Sequence, residues 1–187
     1  MTHRNLYWPQ HEISFRVGDE DNCGGLLRII PLGCELQEQQ EDPDAPGCSS
    51  YGIYVQVKIE TIGVECSGGD FISPKQFRAL LEMLKGGQKL SSNQVAIRGD
   101  DGGVDIHFQW REEGDVSVIG DIPATGGYSN AYFTANPLEL RKTIKTSVRF
   151  EFLMEARDLR EPCDELENLL EYVRSIEEKE SRFRTWE

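Results

Sequence analysis

Short stretches of alternating apolar and polar residues dominate the chain. Ile13, Phe15 and Val17 alternate with Glu12, Ser14 and Arg16, the period-two pattern of a half-buried strand. After a turn-rich stretch from Gly18 to Gly25, Leu26 to Leu32 predicts a second strand that stops near Pro31 and Gly33. The clearest pattern begins at Tyr51. Ile53, Val55, Val57 and Ile59 fall on one face and Tyr54, Gln56, Lys58 and Glu60 on the other, as in a central antiparallel strand with one buried side. Gly63 marks a bulge or turn, after which Val64 to Ser67 resumes pairing.

The period then changes to that of a helix. Ser73 is a good N-cap, Pro74 suits the first helical position, and Gln76 completes a capping box. Phe77, Leu80, Leu81 and Leu84 recur at helical spacing until Gly86-Gly87 ends the element. Strands follow at Val95–Ile97, Val104–Trp110 and Val116–Ile119, joined by the turns Asp100-Asp101-Gly102-Gly103 and Glu113-Gly114-Asp115. Pro123 to Gly127 predicts a loop and Tyr128 to Thr134 a further strand. Asn136-Pro137 with Glu139 repeats the helix-start pattern. Leu140, Ile144, Val148 and Phe152 then lie on an i, i+4 line, which predicts a helix over 137–155 against the preference of the β-branched Thr143, Ile144, Thr146 and Val148. After Pro162, Leu166, Leu169, Leu170, Val173 and Ile176 form the apolar stripe of a third helix.

These elements predict an α+β fold: an antiparallel β-meander of about six strands packed with two helices, with a C-terminal helix docked outside. Residues 1–160 are expected to form a single domain, followed by an amphipathic helix and tail over 161–187. Residues 33–50 carry five acids, no base, and the breakers Pro43, Pro46 and Gly47, and are expected to form a long mobile loop.

Composition narrows the function. The chain has 187 residues and a formal net charge of −13. Such a charge repels phosphate backbones, which argues against general nucleic-acid binding. No apolar run approaches the roughly 18 residues of a membrane span, and the N-terminal ten residues lack the apolar stretch of a signal peptide, so a cytoplasmic protein is expected. Cys23, Cys34, Cys48, Cys66 and Cys163 include no Cys-x-x-Cys pair, which favours reduced thiols over a disulfide framework or a structural zinc site.

Catalytic groups are sparse. His3 and His11 lie near the N-terminus, and His107 falls on the polar face of a strand. Asp105 shares that face, two residues away, so the two could act as a base and its orienter only beneath a covering cleft. The acidic pairs Asp100-Asp101, Glu112-Glu113 and Glu177-Glu178 are adjacent, and neighbours point apart. The run Asp19-Glu20-Asp21 lacks the alternate spacing of a calcium loop. No phosphate-binding loop or nucleophile elbow is present, and neither a cofactor nor a metal is expected.

What remains is a surface with uneven charge. Residues 35–44 hold Glu35, Glu38, Glu41, Asp42 and Asp44 with no base, and residues 99–121 hold seven acids against Arg111 alone. By contrast, 136–149 carries Arg141, Lys142, Lys145 and Arg149 against Glu139. General solubility is the simplest account of the acidity. Steering toward a basic protein partner is the sharper one, with the first acidic group and Asp100 and Asp101 as contacts, and Tyr51, Tyr54, Tyr128 and Tyr132 as candidate anchors.

The order of elements also resembles a known family. The strand Tyr54-Val-Gln-Val-Lys-Ile-Glu60, the capped helix Ser73-Pro-Lys-Gln-Phe-Arg-Ala-Leu-Leu-Glu-Met-Leu84, the glycine break and meander, and the Asn136-Pro-Leu-Glu-Leu140 start resemble the WapI-type immunity proteins of bacterial polymorphic-toxin systems. The resemblance spans about residues 51–155 and rests on a pattern of elements, with no catalytic signature. It implies a non-enzymatic cytoplasmic protein that binds and blocks a toxin domain; a monomer or weak homodimer is expected. Two alternatives stand beside it. One is an acidic secretion or folding chaperone that dimerises through the stripe Leu166–Ile176. The other is an enzyme using His107 and Asp105.

Overall fold

The structure is a computed structural model and describes residues 11–17, 25–36, 51–61, 64–86, 93–100, 102–123 and 147–184. It is α+β, with two four-stranded antiparallel sheets in place of the single sheet of about six strands expected. The first sheet runs β1 (Ile13–Val17), β2 (Gly25–Leu36), β3 (Tyr51–Thr61) and β4 (Val64–Ile72), in sequence order. Helix α1 (Pro74–Gly86) then interrupts the meander. The second sheet runs β5 (Gln94–Arg98), β6 (Asp105–Trp110), β7 (Val116–Pro123) and β8 (Ser147–Met154), again in order. Every pairing is between neighbours in the chain, so the helix between β4 and β5 divides the meander in two. A 3-10 turn (Ala156–Leu159) leads into helix α2 (Arg160–Arg184).

The period-two pattern sets both inner faces. Phe15, Leu27, Ile29, Val55, Val57 and Ile59 from the first sheet join Ile97, Ile106, Phe108, Val116 and Val118 from the second in one buried cluster. The Phe15 and Phe108 rings meet across it with centroids 5.2 Å apart. Phe77, Leu80 and Leu84 of α1 and Leu166, Leu169 and Val173 of α2 enter the same cluster. Each such side chain contributes about 1.5–3 kcal/mol on burial. The stripe of α2 is therefore spent in the chain's own core.

Three expectations change. Ser147–Met154 is a strand, not the end of a helix over 137–155; its eight residues pair with β7 from Val116↔Met154 to Pro123↔Ser147. An i, i+4 line is also a period-two line, so Val148 and Phe152 fit either element. Phe150, between them, packs toward the core as only a strand allows. It lies over Gly120, where an added Cβ would come within 2.1 Å of its ring. The helix start at 136–146 and the expected strand Tyr128–Thr134 lie outside the described residues. At the other acidic segment, β2 runs on through Glu35 to Leu36, so 33–36 is strand and not loop. Finally, Gln76 does not close a capping box. Its side-chain amide accepts from the Arg98 backbone N–H at 2.6 Å and donates to the Arg98 carbonyl at 3.0 Å, occupying the edge of β5 as a strand would.

Two polar contacts tie α1 to its surroundings. The Trp110 indole donates to the Met83 carbonyl at 2.9 Å, satisfying one of the orphan groups at the helix C-terminus. Lys85 hydrogen-bonds Glu167 on α2, and Arg78 lies 3.9 Å from Glu177.

A buried carboxylate also links the sheets. Asp70 sits at a core-facing position of β4 and is only 1% exposed. Its Oδ1 accepts from the Phe71 N–H at 2.8 Å and its Oδ2 from the Gly103 N–H at 2.7 Å. The turn that joins β5 to β6 thus closes around it. An added Cβ on Gly99 would come within 1.9 Å of the carboxylate, so only glycine admits the approach. Gly102, at φ 68°, makes the turn, and the Asp100 N–H donates to the Phe71 carbonyl at 3.0 Å.

Two stability predictions follow from these contacts. Asp70→Ala leaves the Phe71 and Gly103 N–H groups without this acceptor in the interior. Urea denaturation should show a loss of about 2–4 kcal/mol, with Asp70→Asn losing less, since hydrogen bonds to charged groups contribute about 1.5–3 kcal/mol each. A variant as stable as the parent would contradict the clasp. On the α1–α2 seam, burial pushes the Cys163 thiol up while Lys85 pulls it back. A raised folded value means the protonated thiol favours the fold, and that contribution disappears as pH rises through the raised value. Cys163→Ala should flatten the fall in stability above about pH 8.5, where thiols ordinarily ionise. An unchanged slope would rule this out.

Candidate partner-binding face

The clasp decides what lies at one end of the first sheet. Gly33 pairs with Tyr54 and Tyr54 with Phe71, and the Phe71 carbonyl takes the Asp100 N–H. Glu35 pairs with Gly52, two residues along β3 from Tyr54. The strand carrying Glu35 and the turn carrying Asp100 therefore flank the Tyr54–Phe71 pair. At the usual strand spacing of about 4.8 Å, the three steps from β2 to the turn span roughly 14 Å. Sequence spacing gives no hint of this, because 65 residues separate the two acids.

Of the candidate contacts, Glu35 and Asp100 thus reach the same end of the sheet. Glu38, Glu41, Asp42, Asp44 and Asp101 lie outside the described residues, although β2 and β3 must be joined through 37–50, which holds the first four. Of the candidate aromatic anchors, Tyr54 is 39% exposed and its ring is 5.0 Å from that of Phe71. Tyr128 and Tyr132 lie outside the described residues. Leu32 was not expected to matter. The register of β2 against β3 shifts between Pro31 and Gly33, and Leu32, in that bulge, is 50% exposed. The signal was present in the sequence as a proline and a glycine inside an apolar run, which marks a bulge as well as a strand end.

The outer face of the second sheet is organised differently. Cross-strand register places Arg98, Asp105, Asp121 and Arg149 in one row, so two opposed carboxylates are bracketed by two guanidinium-bearing residues. Asp105 Oδ1 lies 3.2 Å from Arg98 Nε and 3.0 Å from His107 Nε2. The Asp105 and His107 side chains are each 47% exposed, an open sheet surface where a base and its orienter would need cover. Arg111 lies across the same face, donating to the Ser117 hydroxyl at 3.1 Å and approaching Glu151 at 3.8 Å. The Arg98, Asp105, Asp121 and Arg149 row and the Arg111–Glu151 pair make this face a ladder of both signs.

Among the described residues, no three His, Cys, Asp or Glu side chains converge as a metal site. No helix among them is long and apolar enough to cross a membrane. Among the described residues, Cys34, Cys66 and Cys163 form no disulfide; Cys23 and Cys48 lie outside the described residues. Comparison with known proteins returns no match, either to a family model, to a curated protein or to a solved structure.

Proposed function

We propose that this chain is a stoichiometric inhibitor that neutralises a basic protein partner, in the manner of a WapI-type immunity protein acting on a toxin domain. The observation that carries this reading is the convergence of the β2 strand through Glu35 and the Asp100 turn on one end of the first sheet. Glu35 and Asp100, one from each stretch that is acidic in sequence, come to the same end of the first sheet, which favours the approach of a basic surface from that end. Acids placed in this way raise the rate of encounter with a basic surface more than they add affinity. The strand, α1 and meander of the family resemblance support it over residues 51–123, whereas its second capped helix start falls outside the described residues and 147–154 is strand.

The chaperone alternative draws on a free helical stripe for dimerisation. That stripe is buried against this chain's own sheets, which favours the inhibitor reading. The His107–Asp105 alternative gains a hydrogen-bonding distance but no enclosure.

The reading calls for a toxin-domain gene beside this one; coexpression with that domain should restore growth of the host, and the two purified proteins should form a one-to-one complex. The triple variant Glu35→Lys, Glu38→Lys, Glu41→Lys should then slow association by about tenfold or more at low salt and by much less at high salt, as steering predicts. Growth that is not restored, or an on-rate indifferent to those charges, would overturn the proposal.

A further inference from the structure

The outer edge of the second sheet is met by a side chain. Among the described residues, β5 pairs with β6 alone. The Gly99 N–H donates to the Val104 carbonyl at 2.9 Å and the Trp110 N–H to the Asn93 carbonyl at 2.8 Å, one bond at each end of that ladder. Bonded positions alternate in an antiparallel pair, so residues 93, 95, 97 and 99 turn their backbone groups toward β6. Gln94, Ala96 and Arg98 therefore turn theirs the other way, to the side where a further strand would add.

At Arg98 that side is taken. Gln76, in the first turn of α1, accepts from the Arg98 N–H at 2.6 Å and donates to the Arg98 carbonyl at 3.0 Å. These are the two bonds that one residue of an added strand would make. A primary amide carries an acceptor and a donor side by side, so it satisfies both groups, yet it has no backbone beyond it to continue the ladder. The Arg98 side chain is 64% exposed, so the contact lies at the surface of the described structure.

The strand that Gln76 meets is complementary to itself. Two copies of β5 set antiparallel about a twofold axis at Ala96 place Ala96 on Ala96, Gln94 against Arg98 and Val95 against Ile97. No like charges oppose one another, and polar and apolar residues keep their faces. Two of the three bonded pairs in this register, Gln94 with Arg98 and its symmetry mate, need the Arg98 groups that Gln76 holds.

We propose that Gln76 is an autoinhibitory contact, which keeps β5 from pairing with β5 of a second copy of this chain. The proposal goes beyond the inhibitor reading and does not depend on it. Sedimentation of the full chain at physiological salt tests it, because salt screens the repulsion between two copies of net charge −13. Gln76→Leu keeps the bulk of the side chain and makes neither bond. It should self-associate about tenfold more tightly than the parent, the effect of one or two ordinary hydrogen bonds. Adding Ala96→Pro removes an N–H that faces the outer edge and none that faces β6, so the double variant should return to the behaviour of the parent. A folded Gln76→Leu that loses stability in urea but associates no more than the parent would overturn the proposal. Association that survives Ala96→Pro would overturn it as well, by placing the contact elsewhere. Should Gln76→Leu fail to fold, Gln76→Glu decides, since it keeps the acceptor for the Arg98 N–H and loses the donor. It should associate more tightly than the parent, and association unchanged from the parent would contradict the proposal.

Discussion

A buried carboxylate, backed by one backbone bond from the same turn, ties the two halves of the meander together. Helix α1 interrupts the run of strands, so among the described residues the two ladders are separate, and the Asp100 N–H donated to the Phe71 carbonyl is a backbone bond between them. The apolar core is shared by both sheets, but apolar packing is not directional and would tolerate some sliding. Asp70 limits that freedom together with the Asp100–Phe71 backbone bond. Its two oxygens accept N–H groups from its own strand and from the β5–β6 turn, in a site almost closed to solvent. A buried carboxylate is costly unless its hydrogen bonds are made, and that cost is what makes the geometry specific. Gly99 and Gly103 supply the close approach, and Gln76 fastens the neighbouring strand edge to α1. The place of Asp100 beside Phe71, and with it the proposed binding face, depends on this clasp.

The strands were legible because each buries one face. Ile53, Val55, Val57 and Ile59 announce β3, and Ile106, Phe108 and Trp110 announce β6, through period two alone. Helix α1 was legible from Ser73-Pro74 at its start and the apolar stripe that follows. Three features were not legible, each for a physical reason. Val148 and Phe152 satisfy both a helical and a strand period, and β7, which decides between them, is remote in sequence. The division into two sheets depends on which strands pair, and local periodicity does not encode that. Asp70 lies in a stretch, Ser67-Gly68-Gly69-Asp70, that resembles a turn in composition. Its role becomes visible only when the glycines of the 99–103 turn are brought to it in space.

The candidate site divides in the same way. That the chain is acidic, and that the acids cluster, was plain from Glu35 to Asp44 and from Asp100 to Asp121. That one member of each cluster flanks the same aromatic pair was not, because the convergence is a property of cross-strand register. Leu32 was hidden by the ordinary assumption that a proline and a glycine end a strand. Here they shift the register, and Leu32 at the shift is exposed.

The clasp is tested most directly by hydrogen exchange at one amide. Gly103 lies in a glycine-rich surface turn, where an N–H bonded to water would exchange within seconds to minutes. Bonded to the buried Asp70 carboxylate, it should instead be protected almost as well as the central amides of β3, exchanging only through near-global unfolding. Exchange of the Gly103 amide at the rate of an ordinary exposed turn, while β3 stays protected, would show that the two sheets are held together without Asp70.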